Sequence, residues 1–317
     1  MKNAKNIKPN QLLAGCLCAF AAEILYGLSY VFTKDTTEDA SALSLLGWRF
    51  FIAFVVMSLL AATGMIKINL KGKSIKPLLA VAIFNPALYL IGETIGISQT
   101  TASESGVFLA CIPVASLAAS TLILHEEPTK PQVIGILITL AGVLITILAV
   151  GASSSLSITG YLCLFLGVIC YALYSVYVEK ASDFSGTEIT YIMLVCGMVV
   201  FTLLAFIQGV LKGNLNAILS LPFQDRGFLM AILYQGIGCS VIAFFLSNVA
   251  ISKIGVNRTS SFIGIATVVS AVAGAVILKE AFTMYQSIGA AVIIAGVYIA
   301  NMEKQAGGLK NESVQES

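Results

Sequence analysis

Charged residues are scarce in this sequence. Lys, Arg, Asp and Glu make up 11% of its 317 residues, while hydrophobic residues make up 58% and the mean hydropathy is +0.93. In soluble domains roughly a quarter of the residues carry charge. A chain with so few polar side chains cannot cover a globule in water, which excludes a soluble fold. The length suffices for about ten helices of ~20 residues, each able to cross a ~30 Å hydrocarbon layer.

Residues for metal, redox and phosphate chemistry are also sparse. The single histidine, His125, cannot supply the three or four ligands of a metal centre. The seven cysteines lie in apolar stretches without Cys-x-x-Cys spacing. Gly-rich phosphate loops and nucleophile motifs are missing, so the sequence shows no sign of an ATP motor or a hydrolase. We therefore expect no cofactor, no metal and no enzymatic activity.

Apolar runs between charges and turn residues predict ten membrane-spanning helices and an all-α fold. The predicted spans are 11–33, 41–64, 77–98, 104–124, 131–151, 156–178, 189–211, 227–250, 259–278 and 283–302. Of the 18 Lys and Arg residues, thirteen fall on one set of faces, four fall on the other, and Arg49 lies inside the second span. Basic loops stay on the cytoplasmic side, so both termini are predicted to be cytoplasmic. The net charge of +2 is spread over short loops, which gives no nucleic-acid footprint.

The sequence repeats once. Residues 124–143 match residues 278–297 at a constant spacing of 154, and residues 17–28 match residues 162–173 at a spacing of 145. The smaller spacing near the starts of the halves predicts a longer connection in the second half, around 212–226.

Five spans in each half make the two halves inverted with respect to the membrane. We predict a first five-helix repeat at 1–151, a second at 152–302 and a disordered cytoplasmic tail at 303–317. Inverted repeats can lean towards either side of the membrane at similar energy, and their substrate site lies near mid-membrane. The organisation therefore predicts alternating access.

Three ionisable residues lie inside predicted spans. A charge at the bilayer centre costs about 2.5 to 3.5 kcal/mol on insertion scales, so each calls for a partner or a wet cavity. Glu23 lies near the middle of the first span, and Tyr26 and Tyr30 share its helical face. Arg49 in the second span and Glu93 in the third have similar predicted depth, which fits either a structural ion pair or a role with substrate or protons.

Polar and aromatic residues complete the predicted site. Asn85, Tyr89 and Glu93 follow a helical spacing that predicts one polar stripe. The second half offers aromatic and amide groups without an intramembrane acid or base. The predicted substrate-binding residues are Glu23, Tyr26, Tyr30, Arg49, Asn85, Tyr89, Glu93, Tyr171, Tyr174 and Gln235.

Short motifs carry a resemblance to a known family. Residues 26–34 are similar to the first-helix aromatic-Gly-to-Lys pattern of the EamA-like family in the drug/metabolite transporter superfamily, and 48–50 resemble its second-helix Arg-Phe pattern. The acidic-turn-Thr motifs at 126–129 and 280–283 resemble the ends of its fourth and ninth helices. The resemblance implies ten helices in two five-helix repeats, small organic substrates moved most often outward, and a multi-pass protein of a bacterial cytoplasmic membrane.

Several functional alternatives remain open. We expect a secondary transporter that exports a small amphipathic metabolite or amino acid, by proton antiport or by uniport. A lipid flippase or a non-transporting membrane scaffold is the alternative. The paired glycines of the fifth and tenth spans, Gly135 with Gly142 and Gly289 with Gly296, fit either packing or a homodimer.

Overall fold

The computed structural model describes residues 9–36, 40–100, 108–148, 157–277 and 284–302, and these residues contain helices but no strand. The predicted tail at 303–317 lies outside them. The helices are α1 Pro9–Thr36, α2 Ala42–Ala62, α3 (Lys76–Ala82, a wider turn Ile83–Leu88, and Tyr89–Gln99), α4 Phe108–Leu124, α5 Lys130–Leu148, α6 Ile158–Lys180, α7 Gly186–Leu211, α8 Leu215–Gln224, α9 Arg226–Ser261, α10 Ile263–Ile277 and α11 Met284–Asn301.

Among the described residues, seven helices are long and apolar enough to cross a membrane, namely α1, α2, α3, α6, α7, α9 and α11. Shorter apolar stretches of 10–17 residues are Phe108–Leu124 in α4, Lys130–Ile145 in α5 and Ile263–Ile277 in α10. Helix α8 is a short additional helix, and it lies inside the longer connection predicted around 212–226. The eighth, ninth and tenth predicted spans therefore correspond to α9, α10 and α11.

Helices α2 and α7 begin in the same way, although they belong to different halves. The backbone of Ser41 is extended and its side chain accepts a hydrogen bond from the Ser44 amide at 3.2 Å. The Ser185 side chain likewise accepts from the Glu188 amide at 3.2 Å, and the Glu188 carboxylate accepts from the Ser185 amide at 2.8 Å, which completes a capping box. These caps satisfy amides that lack partners within the helix. The local start of the second helix is thus conserved between the halves.

Helices α5 and α11 touch through the four paired glycines, which we call the glycine seam. A Cβ added to Gly135 would lie 2.6 Å from the Cα of Ala300, and one added to Gly142 would lie 2.8 Å from the amide nitrogen of Ile293. Residue numbers rise along α5 as they fall along α11, so the two helices are antiparallel. These glycines therefore serve packing within the chain.

The same antiparallel relation joins α2 to α7. Ser41 at the start of α2 donates to the Gln208 side chain near the end of α7 at 2.7 Å, while Ser58 near the end of α2 lies 3.4 Å from the Tyr191 hydroxyl near the start of α7. The ring of Phe50 packs on Phe201 between them, with centroids 5.1 Å apart. Both rings belong to the largest apolar core.

Helix pairs α3–α6 and α1–α9 are equivalent by exchange of the halves. Gly96 of α3 packs against the side chain of Leu164, and the Phe84 ring stacks on Tyr177 at 5.5 Å. Along the other pair, Gly15 of α1 packs against Ile254 of α9. Because equivalent helices run antiparallel, the axis that relates the two halves crosses the helix direction instead of following it.

Both third helices of the halves depart from regular α-helix. Residues Ile83–Leu88 in α3 and Tyr234–Ala243 in α9 form wider π-helical turns. Asn85, which precedes Pro86, has non-helical torsions of −145° and 121°. Gly255 in α9 has a φ of 82°, in the region that favours glycine. Wide turns of this kind occur frequently at functional sites.

The chain breaks at Gly255, inside the connection that the sequence predicts at 251–258 between the eighth and ninth spans. Non-helical torsions at Gly255 separate two helical segments, so the connection is shorter than predicted but lies within the predicted range. The Glu179 carboxylate accepts a hydrogen bond from the Val256 amide at 2.9 Å. A carboxylate at a freed helix amide lets the chain resume helical geometry directly after the break.

Candidate functional site

Polar and aromatic side chains from both halves meet between the helices. We call the following set the central cluster: Glu23, Tyr26, Arg49, Tyr89, Glu93, Tyr171, Tyr174, Gln235, Ser240 and Asn248. They lie on α1, α2, α3, α6 and α9. Tyr26, Arg49, Tyr89, Glu93 and Tyr171 are each only half-buried although they interact with one another or with other cluster members. Each of these interacting side chains therefore keeps some accessible surface.

Glu23 is the most buried acid of the cluster, with 6% of its surface exposed. Its carboxylate interacts electrostatically with the hydroxyls of Tyr26, Tyr171 and Tyr174. Among the described residues it makes no hydrogen bond or ion pair, and no basic side chain contributes to its electrostatic environment. An acid in this position keeps its binding capacity for a group that arrives from outside.

Glu93 is already engaged. It accepts a hydrogen bond from the Tyr89 hydroxyl one helical turn before it, at 2.7 Å. The Tyr89 ring packs edge-on against Tyr171 at 5.3 Å, and Tyr171 packs in the same manner against Tyr174 at 5.4 Å. Three tyrosines thus form a continuous aromatic wall from α3 to α6, with Glu93 hydrogen-bonded at one end and Glu23 interacting with the other.

Arg49 connects the halves. Its Nε donates to the Ser240 hydroxyl at 2.7 Å, and its Nη1 donates to the Gln235 side-chain oxygen at 3.4 Å. Glu93 lies within electrostatic range, but the described residues contain no ion pair between the two. Of the alternatives that the sequence leaves open, a structural Arg49–Glu93 bridge is therefore wrong, because neutral groups of α9 lie nearer to the guanidinium.

A second, fully buried network supports the wall. The Tyr174 hydroxyl donates to the side-chain oxygen of Asn248 at 2.7 Å, and the amide nitrogen of Asn248 donates to Thr190 at 2.9 Å. All three residues are essentially inaccessible to water. This network links α6, α9 and α7, and it fixes the rotamer of Tyr174.

Two predicted residues remain predictions. Asn85 is buried with its side-chain oxygen unpaired, and the helix is broken at this residue, so regular helical spacing does not by itself place Asn85 on the face of Tyr89 and Glu93. The break removes the 100° per residue on which a helical face depends. The side chain of Tyr30 lies outside the described set, and its place in the site remains a prediction.

The residues predicted to bind substrate include neither Ser240 nor Asn248. A serine in an apolar helix is common, and no periodic pattern marks it as a partner of an arginine on another helix. The wide turn at Tyr234–Ala243 also shifts the phase of α9 relative to a regular helix. A signal for Ser240 was therefore not available from spacing.

A separate hollow of about 320 Å³ lies between α4 and α6. Alanine and larger apolar side chains line it, including Ala118, Leu122 and Phe165. Such a surface suits hydrocarbon, but its lining offers no polar group to a charged solute. In the described ranges, no three His, Cys, Asp or Glu side chains converge as a metal site would require.

Comparison with known proteins matches this architecture. The model of the EamA-like transporter family matches the chain twice, at residues 13–148 and 158–302. The chain belongs to the EamA-like transporter family. Members of this family are membrane transporters, so the predicted family is confirmed, and membership implies a small-molecule substrate.

Relatives of this EamA-like chain occur in bacteria, archaea and plants. It is 33% identical over 290 residues to "Uncharacterized transporter YcxC" of Bacillus subtilis (strain 168), which covers 90% of this chain and 93% of that protein. It is 31% identical over 214 residues to "Uncharacterized transporter in sor 3'region" of Acidianus ambivalens, covering 66% of this chain and 78% of that protein. It is also 24% identical to "WAT1-related protein At1g44800" of Arabidopsis thaliana, covering 70% and 66% of the two chains.

A solved crystal structure, described only as "Crystal structure of protein", shares the fold. The TM-score is 0.73 at 18% identity, covering 91% of this chain and 98% of that one. At this identity the likeness concerns the fold alone.

Proposed function

We propose that this protein is a secondary transporter that moves a small amphipathic metabolite or amino acid across a bacterial cytoplasmic membrane by alternating access, in the outward direction. Ten helices span the membrane and both termini lie in the cytoplasm. Residues 1–151 and 152–302 act as two repeats that rock about the central cluster. The solute binds among Glu23, Tyr26, Arg49, Tyr89 and Glu93 from the first repeat, with Tyr171, Tyr174 and Gln235 from the second.

One observation carries the proposal: equivalent helices of the two halves pack antiparallel, and the half-buried polar side chains meet between them. Antiparallel repeats give two leaning states of similar energy, with opposite sides open. An ionisable side chain that faces lipid is costly, so these side chains call for a polar, hydrated space between the halves. That space is the path of the solute. The contacts of Arg49 with Ser240 and Gln235 cross this interface.

Two forms of coupling fit the cluster. In proton antiport, Glu23 or Glu93 exchanges a proton for the solute, whereas a uniporter needs neither acid to titrate. Purified full-length protein in liposomes separates them, with the solute chosen by a thermal-shift screen of amino acids, purines, polyamines and cationic drugs. An imposed pH gradient drives a neutral solute uphill through an antiporter and leaves a uniporter unaffected.

The transport proposal itself is tested in the same liposomes. We expect saturable movement of the stabilising solute, absent from protein-free liposomes and reduced in Arg49→Met. A purified, folded protein that moves none of the solutes that stabilise it contradicts the proposal. Movement of a labelled phospholipid between leaflets, without movement of soluble compounds, instead supports the lipid flippase. If neither soluble compounds nor the labelled phospholipid move, the result supports a non-transporting membrane scaffold.

Membrane orientation is tested by thiol accessibility. Lys67 and Lys212 are exposed, in loops predicted to be cytoplasmic and external respectively. In intact cells, an impermeant maleimide should label Lys212→Cys and spare Lys67→Cys until the membrane is opened. The parent chain is the control, because its seven cysteines are free but lie in apolar segments. The reverse pattern places the termini outside.

A further inference from the structure

The structure distinguishes the two acids that the sequence leaves equivalent. Glu93 receives the Tyr89 hydroxyl at 2.7 Å and has the positive charge of Arg49 within electrostatic range. Glu23 is 94% buried, and within the described parts of the chain neither a hydrogen-bond donor nor a cation satisfies it. Glu93 has its partners inside the protein, whereas Glu23 has none among the residues that the structure describes.

The surroundings of Glu23 are aromatic. Tyr26 lies one helical turn away on α1, beside Ser247 and 6.4 Å from the Phe244 ring. Tyr171 and Tyr174 of α6 lie across the cluster within electrostatic range of the same carboxylate. Tyr26 and Tyr171 are half-buried, so part of each ring is free to contact a solute.

A carboxylate beside aromatic rings has a defined chemical preference. The faces of tyrosine rings attract cations, most strongly where water is excluded, and a carboxylate supplies the opposite charge. An anion is repelled by Glu23, and a neutral solute leaves the acid without a counter-ion. Burial makes these differences larger than they would be at a surface.

We propose that Glu23, with Tyr26 and Tyr171, binds the ammonium group of an organic amine, and that the transported solute belongs to this class. The inference rests on the proposed transport function. The apolar body of the amine lies along the tyrosine wall formed by Tyr89, Tyr171 and Tyr174. Arg49, which is held by Ser240 and Gln235, lies towards the Glu93 end of this wall, where it can receive a carboxylate if the solute also carries one.

Calorimetric titration of the full-length protein in detergent tests the solute class. The probes are 2-phenylethylamine, its neutral isostere 2-phenylethanol, and the anion 3-phenylpropionate. We expect the amine to bind at least tenfold more tightly than the alcohol, and the anion to bind more weakly than both. This comparison uses the unmodified chain and does not depend on the folding of any variant. Equal binding of amine and alcohol, or no binding of the amine, overturns the inference.

Variants test the residue. Glu23→Gln should lower the affinity for the amine at least tenfold and leave that for the alcohol within threefold, while Glu23→Asp retains part of the preference. Glu93→Gln should lower the affinity for the amine less than Glu23→Gln does. Asp183→Asn removes an acid from an exposed loop and should bind as the unmodified chain does. If Glu93→Gln lowers the affinity for the amine as much as Glu23→Gln or more, the ammonium group binds at Glu93 and the inference is wrong.

The two proposals fail in different ways. A protein that moves a neutral or anionic solute in liposomes, but shows no preference for the amine, keeps the transport function and loses the amine class. A protein that binds the amine through Glu23, but moves no solute, keeps the binding site and loses the transport function.

Discussion

The glycine seam and the central cluster both join the two halves, yet they differ in symmetry. In the seam, Gly135 and Gly289 are equivalent, as are Gly142 and Gly296, and each half presents the same small residues to the other. In the central cluster, the first half contributes Glu23, Arg49 and Glu93, while the second half contributes neutral tyrosines, amides and hydroxyls.

This difference follows from what each interface must do. Two backbones in contact leave room for no side chain, so both copies retain glycine. A solute site has no such constraint and gains from unlike groups on its two sides, since one half can supply charge and the other half aromatic surface. Close packing therefore explains why the glycines repeat, and it imposes no such repetition on the central cluster.

The largest expected effect comes from filling the seam. In Gly135→Ala the new Cβ meets the Ala300 backbone, which cannot rotate aside, so overpacking should cost about 3 kcal/mol. The measurement is thermal unfolding in detergent.

The matched control is Gly238→Ala, whose Cβ would have its nearest neighbour at 3.6 Å. Both variants share the gain in helix propensity of about 1 kcal/mol, so their difference isolates the close contact. Equal melting temperatures would show that the seam is not tightly packed.

Arg49→Met should have the next largest effect. It leaves the fully buried Ser240 hydroxyl without the Arg49 donor, at a cost of about 2 kcal/mol in the free energy of unfolding. Arg49→Lys keeps the charge but loses the planar pair of donors. Its free energy of unfolding should therefore lie between those of the unmodified chain and Arg49→Met. Thermal unfolding measures both variants, and a lysine variant as unstable as the methionine variant contradicts a role for the charge.

Tyr174→Phe tests the dry side of the cluster. Removal of the hydroxyl leaves the buried Asn248 oxygen without its 2.7 Å donor, which should cost about 1.5 kcal/mol. Tyr298→Phe is the control, because Tyr298 is 71% exposed and its hydroxyl has no hydrogen-bond partner among the described residues. The prediction fails if the two variants unfold at the same temperature.

Tyr89→Phe tests the wet side and should have the smallest effect. The Tyr89 hydroxyl also donates a 2.7 Å hydrogen bond, to Glu93, but both side chains are half-buried. Because water can replace the lost donor, the free energy of unfolding should fall by only about 0.5 kcal/mol. The comparison with Tyr174→Phe is decisive for the hollow. If Tyr89→Phe loses as much stability as Tyr174→Phe, water does not reach Glu93 in the central cluster.

Much of the fold could be predicted because lipid imposes few solutions. The apolar runs require helices, and the repeated residues at 124–143 and 278–297 require duplication. Boundaries were less predictable. Within the connection predicted at 251–258 the break is confined to Gly255, and Glu179 accepts a hydrogen bond from the Val256 amide directly after it.

The site could be predicted as a set of residues but not as a set of contacts. Tyr89 and Glu93 are one turn apart on one helix, and their hydrogen bond follows from that spacing. The Arg49–Glu93 pairing considered from depth does not form, because depth says nothing about which helices are neighbours. Asn85 stays a prediction, because the helix is broken at that residue and helical spacing cannot fix its direction.

The amino-acid sequence alone determined that this protein is helical, resides in a membrane, is duplicated and carries acids and a base where lipid would reject them. Periodicity and transfer free energy act along the chain, so a linear reading captures them. Only the tertiary structure decided that Arg49 faces Ser240, that Glu93 has a donor and that Glu23 has none within the described ranges. Those outcomes depend on distances between helices, which are set by close packing over the whole molecule and leave no local mark in the sequence.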